Sequence, residues 1–324
     1  MSLRPENWSR VRECLARLGS PVAYETGALV VVQGQAAKGV FLFEEGKVQI
    51  EVELPGGERL AESITATGRL FGEASLLEGG THPASIRTAT PVRGVFVERR
   101  DFGLLTQSTS ADGRAVDDFL IASLSVWLDS LNQFQRHTIA PEDLPYAPVR
   151  PDLAAENKPT SRDVPFEFQQ FLPILPVFRG WDSSALEELA ALGEPLAMCR
   201  GEPLFFEGMD SAAAYITLHG ALEVSAPAGA GLRRLAVLGP GQILGYRSVI
   251  EGATRKVRIT AREDALVLRL SATRFMDLWQ GPRAAGRQLR ESVRLALLSA
   301  LQKTTQELAR RANLARILAG QSMR

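Results

Sequence analysis

The stretch Gly72-Glu73-Ala-Ser-Leu-Leu-Glu-Gly-Gly returns at an offset of 173 as Gly245-Tyr246-Arg-Ser-Val-Ile-Glu-Gly-Ala. An earlier stretch, from Gly27 to Gly34, returns as Gly201 to Gly208 at an offset of 174. Self-similarity at a nearly constant offset is the signature of a duplicated structural unit. The chain is therefore predicted to contain two copies of one domain, with one residue lost between the two landmarks.

Short β-rich runs separated by glycine make up each copy. In the first copy, the run from Gly27 to Gly34 is followed by Val40-Phe41-Leu42-Phe43 and then by Gly46. Glycine at such corners supplies backbone conformations that tight turns require. Several short strands with regular turn signals indicate an antiparallel sandwich or roll.

The order of these motifs, found twice, resembles the cyclic-nucleotide-binding domain family, with its catabolite-activator-like β-roll. The resemblance implies a mainly β fold class with flanking helices. Each copy is expected to be a double-stranded β-helix (jelly-roll) domain, followed by an amphipathic helix. The motifs that carry this resemblance end in the Gly72 and Gly245 segments quoted above.

The segment between the copies, residues 138–165, holds six of the 18 prolines in the chain. Proline fixes φ and lacks a backbone donor, so this segment is predicted to be an extended linker. It separates domain 1, residues 1–137, from domain 2, residues 166–324. The alternative is an arm that packs across a domain surface through its few apolar side chains.

A long helix is predicted after each roll, because apolar residues recur there every three or four positions. The spacing begins with Val116, Leu120 and Leu124 in copy one, and continues into copy two at the same offset. Both helices carry further apolar residues off this stripe, which indicates a second packing surface. That surface faces either the counterpart helix or a second subunit, and its candidate residues are Phe119, Trp127, Leu128, Leu298, Leu301 and Leu308.

The last helix is also basic. Residues 283–324 contain nine arginines and lysines against Glu291 and Glu307. We expect these cations to complement the acidic remainder of the chain. The less favoured alternative is contact with a nucleic acid, a lipid membrane or an acidic protein.

In the resembled family, a glutamate that follows the glycine of the repeated segment accepts a hydrogen bond from the ribose. An arginine about ten residues later binds the cyclic phosphate. Copy one keeps the first part as Gly72, Glu73 and Ala74, but His82 stands at the arginine position. A neutral imidazole cannot replace a bidentate guanidinium.

Copy two keeps the other half of this pair. Gly245 and Arg255 match the family pattern and Lys256 adds a cation, but Tyr246 replaces the glutamate. The resemblance implies cyclic AMP or cyclic GMP as a ligand, and domain 2 is the better candidate. Losing one charge-assisted pair costs on the order of 1.5–3 kcal/mol, or about tenfold to a hundredfold in affinity.

Composition argues against several other classes. The formal net charge is zero, so bulk electrostatics selects no partner. Two cysteines in different copies and three histidines fit no disulfide framework and no metal site. No nucleophile elbow, Walker loop or zinc motif is present, so no enzymatic activity is expected. Without an apolar span or a signal-peptide pattern, we expect a cytoplasmic protein.

Two functions fit these observations. The first is a non-catalytic regulatory or adaptor protein that acts through protein–protein contacts, with another protein or with itself as a homodimer through the terminal helices. The second is a cyclic-nucleotide sensor, or a sensor of another anionic nucleotide, that binds through domain 2. Sequence-specific DNA is not an expected partner, since the chain ends about one helix after the second roll and leaves no room for a winged helix-turn-helix.

Overall fold

The computed structural model describes residues 5–53, 59–73, 75, 80–108, 110–138, 171–228 and 231–321. The chain divides into two compact units. The first unit comprises residues 1–128 and 297–324, and the second comprises residues 129–296. This division differs from the linear one expected from the prolines, because the end of the chain groups with the first roll. Residues 139–165 of the expected linker lie outside the described residues.

The first unit contains the complete first roll. Its elements are α1 (Pro5–Leu18), β1 (Ser20–Tyr24), β2 (Leu29–Val31), β3 (Gly39–Glu45), β4 (Lys47–Glu53), β5 (Arg59–Thr65), β6 (Arg69–Phe71), β7 (Ser85–Thr88), β8 (Val92–Glu98), α2 (Arg99–Gln107) and the first part of α3 (Ala111–Thr138). The strands form two four-stranded sheets, β1-β8-β3-β6 and β2-β7-β4-β5. All pairings are antiparallel.

The second unit repeats this topology strand for strand. Its elements are the last part of α3, two 3₁₀ turns (Leu172–Ile174 and Pro176–Phe178), α4 (Ser183–Leu192), β9 (Glu194–Met198), β10 (Pro203–Phe205), β11 (Ala213–His219), β12 (Leu222–Ala228), β13 (Gly231–Leu238), β14 (Ile243–Leu244), α5 (Tyr246–Glu251), β15 (Arg258–Ala261), β16 (Ala265–Ser271), α6 (Ala272–Gln280) and the first part of α7 (Ala284–Gln321), which from residue 297 onward belongs to the first unit. The sheets are β9-β16-β11-β14 and β10-β15-β12-β13.

Irregularities in the strands are repeated as well. The register shifts between Leu29 and Val31 in the first unit and between Pro203 and Phe205 in the second. A bulge bends a strand and aims its side chains, so its conservation between copies keeps corresponding residues in corresponding places. The predicted pair of jelly-roll domains with flanking helices is confirmed.

Each roll is closed around its own apolar core. Phe41, Phe43 and Phe71 pack together in the first core, with ring centroids of neighbouring pairs 5.4 to 5.8 Å apart. In the second core, Phe205 and Tyr215 lie 6.0 Å apart. Burial of such apolar surface contributes about 25 cal/mol per Å² to folding. Two separate cores explain why each copy is compact by itself.

The helical stripes predicted from the sequence are confirmed. Val116, Leu120 and Leu124 of α3 are fully buried, and so are the matching residues of α7. Four of the candidate interface residues are also buried within the single chain, and Trp127 is half-buried. These four, Phe119, Leu128, Leu298 and Leu301, are not available to a second subunit in this conformation. The side chain of Leu308 lies outside the described residues.

Part of the basic cluster serves the fold rather than a surface. Arg290 and Arg294 are buried, and Arg290 donates to the carbonyl of Trp279. Arg283 forms an ion pair with Glu188 in the same unit. The two buried cations, Arg290 and Arg294, are therefore unsuited to an extended anion-binding face on α7. Among the described residues, no helix is long and apolar enough to cross a membrane.

Candidate functional site

A glycine in the left-handed backbone conformation begins the candidate ligand pocket in each copy, and we call these the first pocket, in copy one, and the second pocket, in copy two. Gly72 follows β6 with φ +88°, and a Cβ placed on it would lie 2.9 Å from the carbonyl oxygen of Gly39. Gly245 follows β14 with φ +72°, and a Cβ there would lie 2.7 Å from an Arg255 nitrogen. Only glycine adopts this conformation at little cost and leaves room for such close neighbours.

The repeat brings His82 and Arg255 to corresponding places. The backbone N–H of His82 donates to Gln35, and its carbonyl accepts from Gly34. The backbone of Arg255 makes the same two bonds, with Met209 and Gly208. Both side chains therefore start from the same point of the fold and turn inward, where both are buried.

The acid of the first pocket is shielded from water. Glu73 is 6 % exposed, and burial raises its pKa from 4.5 to about 7, although a hydrogen bond to its own backbone acts in the opposite direction. In the described part of the chain, no cation forms an ion pair with this carboxylate. Ala74, the next predicted site residue, lies outside the described residues.

The histidine of the first pocket is held in a neutral state. Its Nδ1 lies 3.0 Å from the Oγ of Ser75, and both side chains are buried. Burial lowers the pKa of His82, so the imidazole carries no charge near neutral pH. Among the residues that the structure describes, the first pocket thus holds an acid, a hydroxyl and a neutral imidazole, and no cation that would offset a phosphate.

The arginine side chain of the second pocket is hydrogen-bonded to backbone carbonyls of its own domain. One terminal nitrogen of Arg255 donates to the carbonyl of Gly245 at 2.6 Å, and the other donates to Ala213 at 2.5 Å. The guanidinium lies over the ring of Phe205, 4.2 Å from its centroid. This stacked arrangement supplies cation–π attraction in addition to two hydrogen bonds. Backbone carbonyls therefore accept from two of the five N–H donors of the guanidinium.

The buried charge of Arg255 has no carboxylate partner among the described residues. Burial lowers the pKa of its guanidinium, which stays protonated at neutral pH. Its Nε is buried and forms no hydrogen bond. Tyr246 stands where the first pocket has its acid, and burial raises the pKa of this phenol, so it is neutral. The second pocket therefore carries a net positive charge.

Lys256 points away from Arg255 and belongs to a different cluster. Its Nζ lies 2.9 Å from an oxygen of Asp129 and 3.1 Å from Glu251. Arg247, the second residue of α5, donates to the same Asp129 oxygen at 2.6 Å. All four residues lie within the second unit.

Sequence reasoning missed Asp129 and Arg247. Alignment of the two repeats does point to Arg247, because Arg247 and Lys256 stand where copy one has Ala74 and Pro83. Both substitutions place a cation beside the pocket of copy two. No group of three or more potential metal ligands occurs in the ranges that the structure describes.

The sequence model of the cyclic nucleotide-binding domain matches the chain twice, over residues 21–124 and 196–281. These segments cover more than half of the chain and coincide with the two rolls. The protein belongs to the cyclic nucleotide-binding domain family, and it contains two tandem domains of that family.

Solved structures with similar chains include regulatory proteins. The regulatory domain of Toxoplasma gondii PKA with cAMP is 13% identical, with 94% of this chain and 99% of that chain covered at a TM-score of 0.33. The regulatory subunit of a cAMP-independent protein kinase A from Trypanosoma brucei is also 13% identical, with 98% of each chain covered and a TM-score of 0.33. A cyclic nucleotide-binding-like protein from Brucella abortus is 27% identical over 36% of this chain and 99% of its own, with a TM-score of 0.31. The match to the family model, rather than these similarities, carries the assignment.

Proposed function

We propose that this protein is a non-catalytic regulatory protein whose tandem domains act through contacts with another protein, without cyclic nucleotide in either pocket. The main support is that, among the residues that the structure describes, neither pocket combines an ionised carboxylate with a guanidinium: the first has Glu73 with His82, and the second has Tyr246 with Arg255. A ligand phosphate needs a cation and donors because its desolvation is otherwise uncompensated.

In the first pocket, the missing group is the cation. Glu73 has a pKa of about 7, and His82 is neutral and bound to Ser75. A phosphate placed beside Glu73 would meet a group that is neutral or negative. Charge alone therefore opposes binding of a cyclic nucleotide in domain 1.

In the second pocket, the cation is present, but the neutral phenol of Tyr246 stands in place of the family acid. Each terminal nitrogen of Arg255 already donates to a backbone carbonyl, and the guanidinium is stacked on the ring of Phe205. A phosphate that turned the guanidinium toward itself would break these bonds, and a buried acceptor left unsatisfied costs about 1–3 kcal/mol. The existing contacts therefore hold Arg255 in an orientation set by the protein.

A calorimetric titration with cyclic AMP and cyclic GMP tests the proposal. We expect no heat of binding to the wild-type protein at ligand concentrations up to about 1 mM, which corresponds to a binding free energy weaker than about −4 kcal/mol. The variant Tyr246→Glu restores the family acid beside Arg255 and should gain about tenfold to a hundredfold in affinity. Tyr246→Gln, which adds no charge, is the matched control and should gain none.

One observation favours a second function, a cyclic-nucleotide sensor that binds through domain 2. In the described part of the chain, Arg255 is buried with an unbonded Nε and has no carboxylate partner, so an anion that entered the pocket would neutralise its charge. Wild-type binding in the micromolar range that Arg255→Lys abolishes would replace the proposed function with this one. The lysine keeps the charge but loses the planar fork that binds a phosphate in a bidentate manner.

A further inference from the structure

Two cations in the second unit share one carboxylate oxygen. The terminal nitrogen of Arg247 lies 2.6 Å and the Nζ of Lys256 lies 2.9 Å from Oδ2 of Asp129. Both cations lie at positions other than the pair that the family uses for its ribose acid and its phosphate arginine, Tyr246 and Arg255 here, and neither has a basic counterpart in copy one, where the residues are Ala74 and Pro83. This arrangement is therefore specific to the second copy.

The cluster is partly shielded from solvent. The side chain of Arg247 is 18% exposed, and that of Asp129 is 35% exposed. Bonds between ionised groups are stronger in such surroundings than at an open surface. Burial opposes the ionisation of Asp129, but the hydrogen bond and charge of Arg247 and then those of Lys256 outweigh it, so the pKa of this carboxyl lies below its usual range. Asp129 is an anion at neutral pH.

We propose that Arg247 and Lys256 form an oxyanion-binding site on the second unit, and that Asp129 of the same chain is its resident anion. A phosphate group offers a separate acceptor oxygen to each cation, whereas in the structure both cations contact the same oxygen of Asp129. An oxyanion that binds here displaces Asp129 and detaches the segment of α3 that begins at this residue from α5.

Glu251 limits the strength of the site. Its side chain is 8% exposed and lies 3.1 Å from Lys256. After Asp129 leaves, the cluster of Arg247, Lys256 and Glu251 carries one net positive charge. The site therefore suits a small oxyanion such as phosphate, and its affinity for the wild-type protein is set by competition with Asp129.

The inference does not depend on the proposed function, because the two sites differ. Arg255 and Tyr246 face the core of the roll, whereas Lys256 turns outward toward Asp129. Cyclic AMP titrations test the first site, and inorganic phosphate titrations at constant ionic strength test the second. Failure of one proposal leaves the other unchanged.

The matched control lies on the same helix. Asp112, in the first turn of α3, accepts from Arg10 at 3.0 Å and from Arg17 at 2.7 Å. Asp112→Asn and Asp129→Asn thus remove the same charge from the same kind of two-cation contact. Only the second substitution vacates the proposed site.

Inorganic phosphate binding is measured by calorimetry for both variants and for the wild type. We expect Asp129→Asn to bind phosphate at least about tenfold more tightly than the wild type, a difference of about 1.4 kcal/mol. Asp112→Asn should match the wild type, and Asp129→Asn combined with Arg247→Met should lose the gain. Equal affinity in the wild type and Asp129→Asn would overturn the proposal.

Hydrogen exchange of the wild-type protein gives a second readout that needs no variant to fold. Phosphate should accelerate exchange of the α3 amides from residue 129 onward, and sodium chloride at the same ionic strength should not. Local opening of a helix segment is visible in this measurement because exchange reports the free energy of opening. Identical exchange with phosphate and with chloride would mean that Asp129 is not displaced, and would reject the resident-anion role.

Discussion

The two pockets have kept opposite halves of one charge pair. Within the described ranges, copy one has the acid, Glu73, with no cation beside it, and copy two has the cation, Arg255, with no acid beside it. The protein accommodates the two losses differently. The carboxyl tends toward its neutral form because its pKa is about 7, whereas the guanidinium stays charged and is bound by two backbone carbonyls.

This difference follows from the chemistry of the two side chains. A buried carboxyl can take up a proton near neutral pH, and so avoid the cost of a desolvated charge. A guanidinium cannot lose its proton under these conditions, and must find acceptors instead. A degenerate pocket that keeps its arginine is therefore expected to become part of the structure, whereas one that keeps its glutamate becomes sensitive to pH.

Replacing Arg255 and His82, the corresponding buried side chains of the two copies, should show the largest contrast in stability between the copies. Arg255→Ala removes the hydrogen bonds to the carbonyls of Gly245 and Ala213 and the contact with Phe205, so we expect a loss of roughly 3–4 kcal/mol in the free energy of unfolding. His82→Ala removes one described side-chain hydrogen bond, with Ser75, and should cost about 1–2 kcal/mol.

Chemical denaturation with hydrogen exchange as the readout measures the loss of stability in both variants, because exchange reports on each roll separately. Arg255→Ala should lower protection in the second unit, and His82→Ala in the first. Equal losses in the two variants would contradict the view that only Arg255 has become structural. Arg255→Met, which keeps most of the volume, separates the lost hydrogen bonds from the cavity.

The acid should make the stability of copy one depend on pH. The pKa of Glu73 is raised from 4.5 to about 7 in the folded protein, so the folded state binds the proton more tightly than the unfolded state. Stability is therefore lost as pH rises from about 4.5 through 7, and the full loss corresponds to about 3 kcal/mol. Glu73→Gln should be close to the wild type at pH 5 and more stable than it by up to about this amount at pH 8.

This measurement needs a correction for His82 and has a control variant in copy two. His82 has a lowered pKa and acts in the opposite direction, because its contribution is lost as pH falls below about 6.5. The difference between Glu73→Gln and the wild type at each pH cancels this contribution. Tyr246→Phe in copy two should show no such pH dependence between 5 and 8, since burial raises the pKa of that phenol. A constant difference for Glu73→Gln over this range would show that Glu73 does not titrate there.

The repeat in the sequence was sufficient to predict the fold and the correspondence of His82 with Arg255. The strand order, the shared bulge and the shared backbone bonds all follow from two similar patterns of glycine and apolar residues. Sequence spacing also predicted the helical stripes, because a helix places residues three and four apart on one face.

The sequence could not predict what the charged side chains bind. Arg255 donates to the carbonyl of Ala213, 42 residues away, and a backbone oxygen has no signature in the sequence. Asp129 lies 118 residues from Arg247, so no local spacing joins them. The burial of Arg290 and Arg294 was hidden in the same way, since a run of cations is the same in the sequence whether its members are exposed or covered.

Gly72 and Gly245 allow the most detailed comparison of the two pockets, through a pair of double-mutant cycles. Both Gly72→Ala and Gly245→Ala force alanine into the left-handed region, which costs about 1–3 kcal/mol in each copy. The neighbours differ, because the new Cβ in copy one meets the Gly39 carbonyl at 2.9 Å, and in copy two it meets the Arg255 side chain at 2.7 Å. A backbone oxygen stays in place when a side chain is truncated, but the arginine clash disappears.

Gly245→Ala should therefore cost less in an Arg255→Ala background than in the wild type, with a coupling energy of about 1 kcal/mol. The matching cycle in copy one, Gly72→Ala with His82→Ala, should be nearly additive, because the His82 ring lies at an ordinary contact distance of 3.5 Å from the new Cβ. Urea denaturation of the single and double variants gives both coupling energies. Additive behaviour in both copies would mean that Arg255 yields freely to the new methyl group, and that its two carbonyl bonds hold it less firmly than the structure indicates.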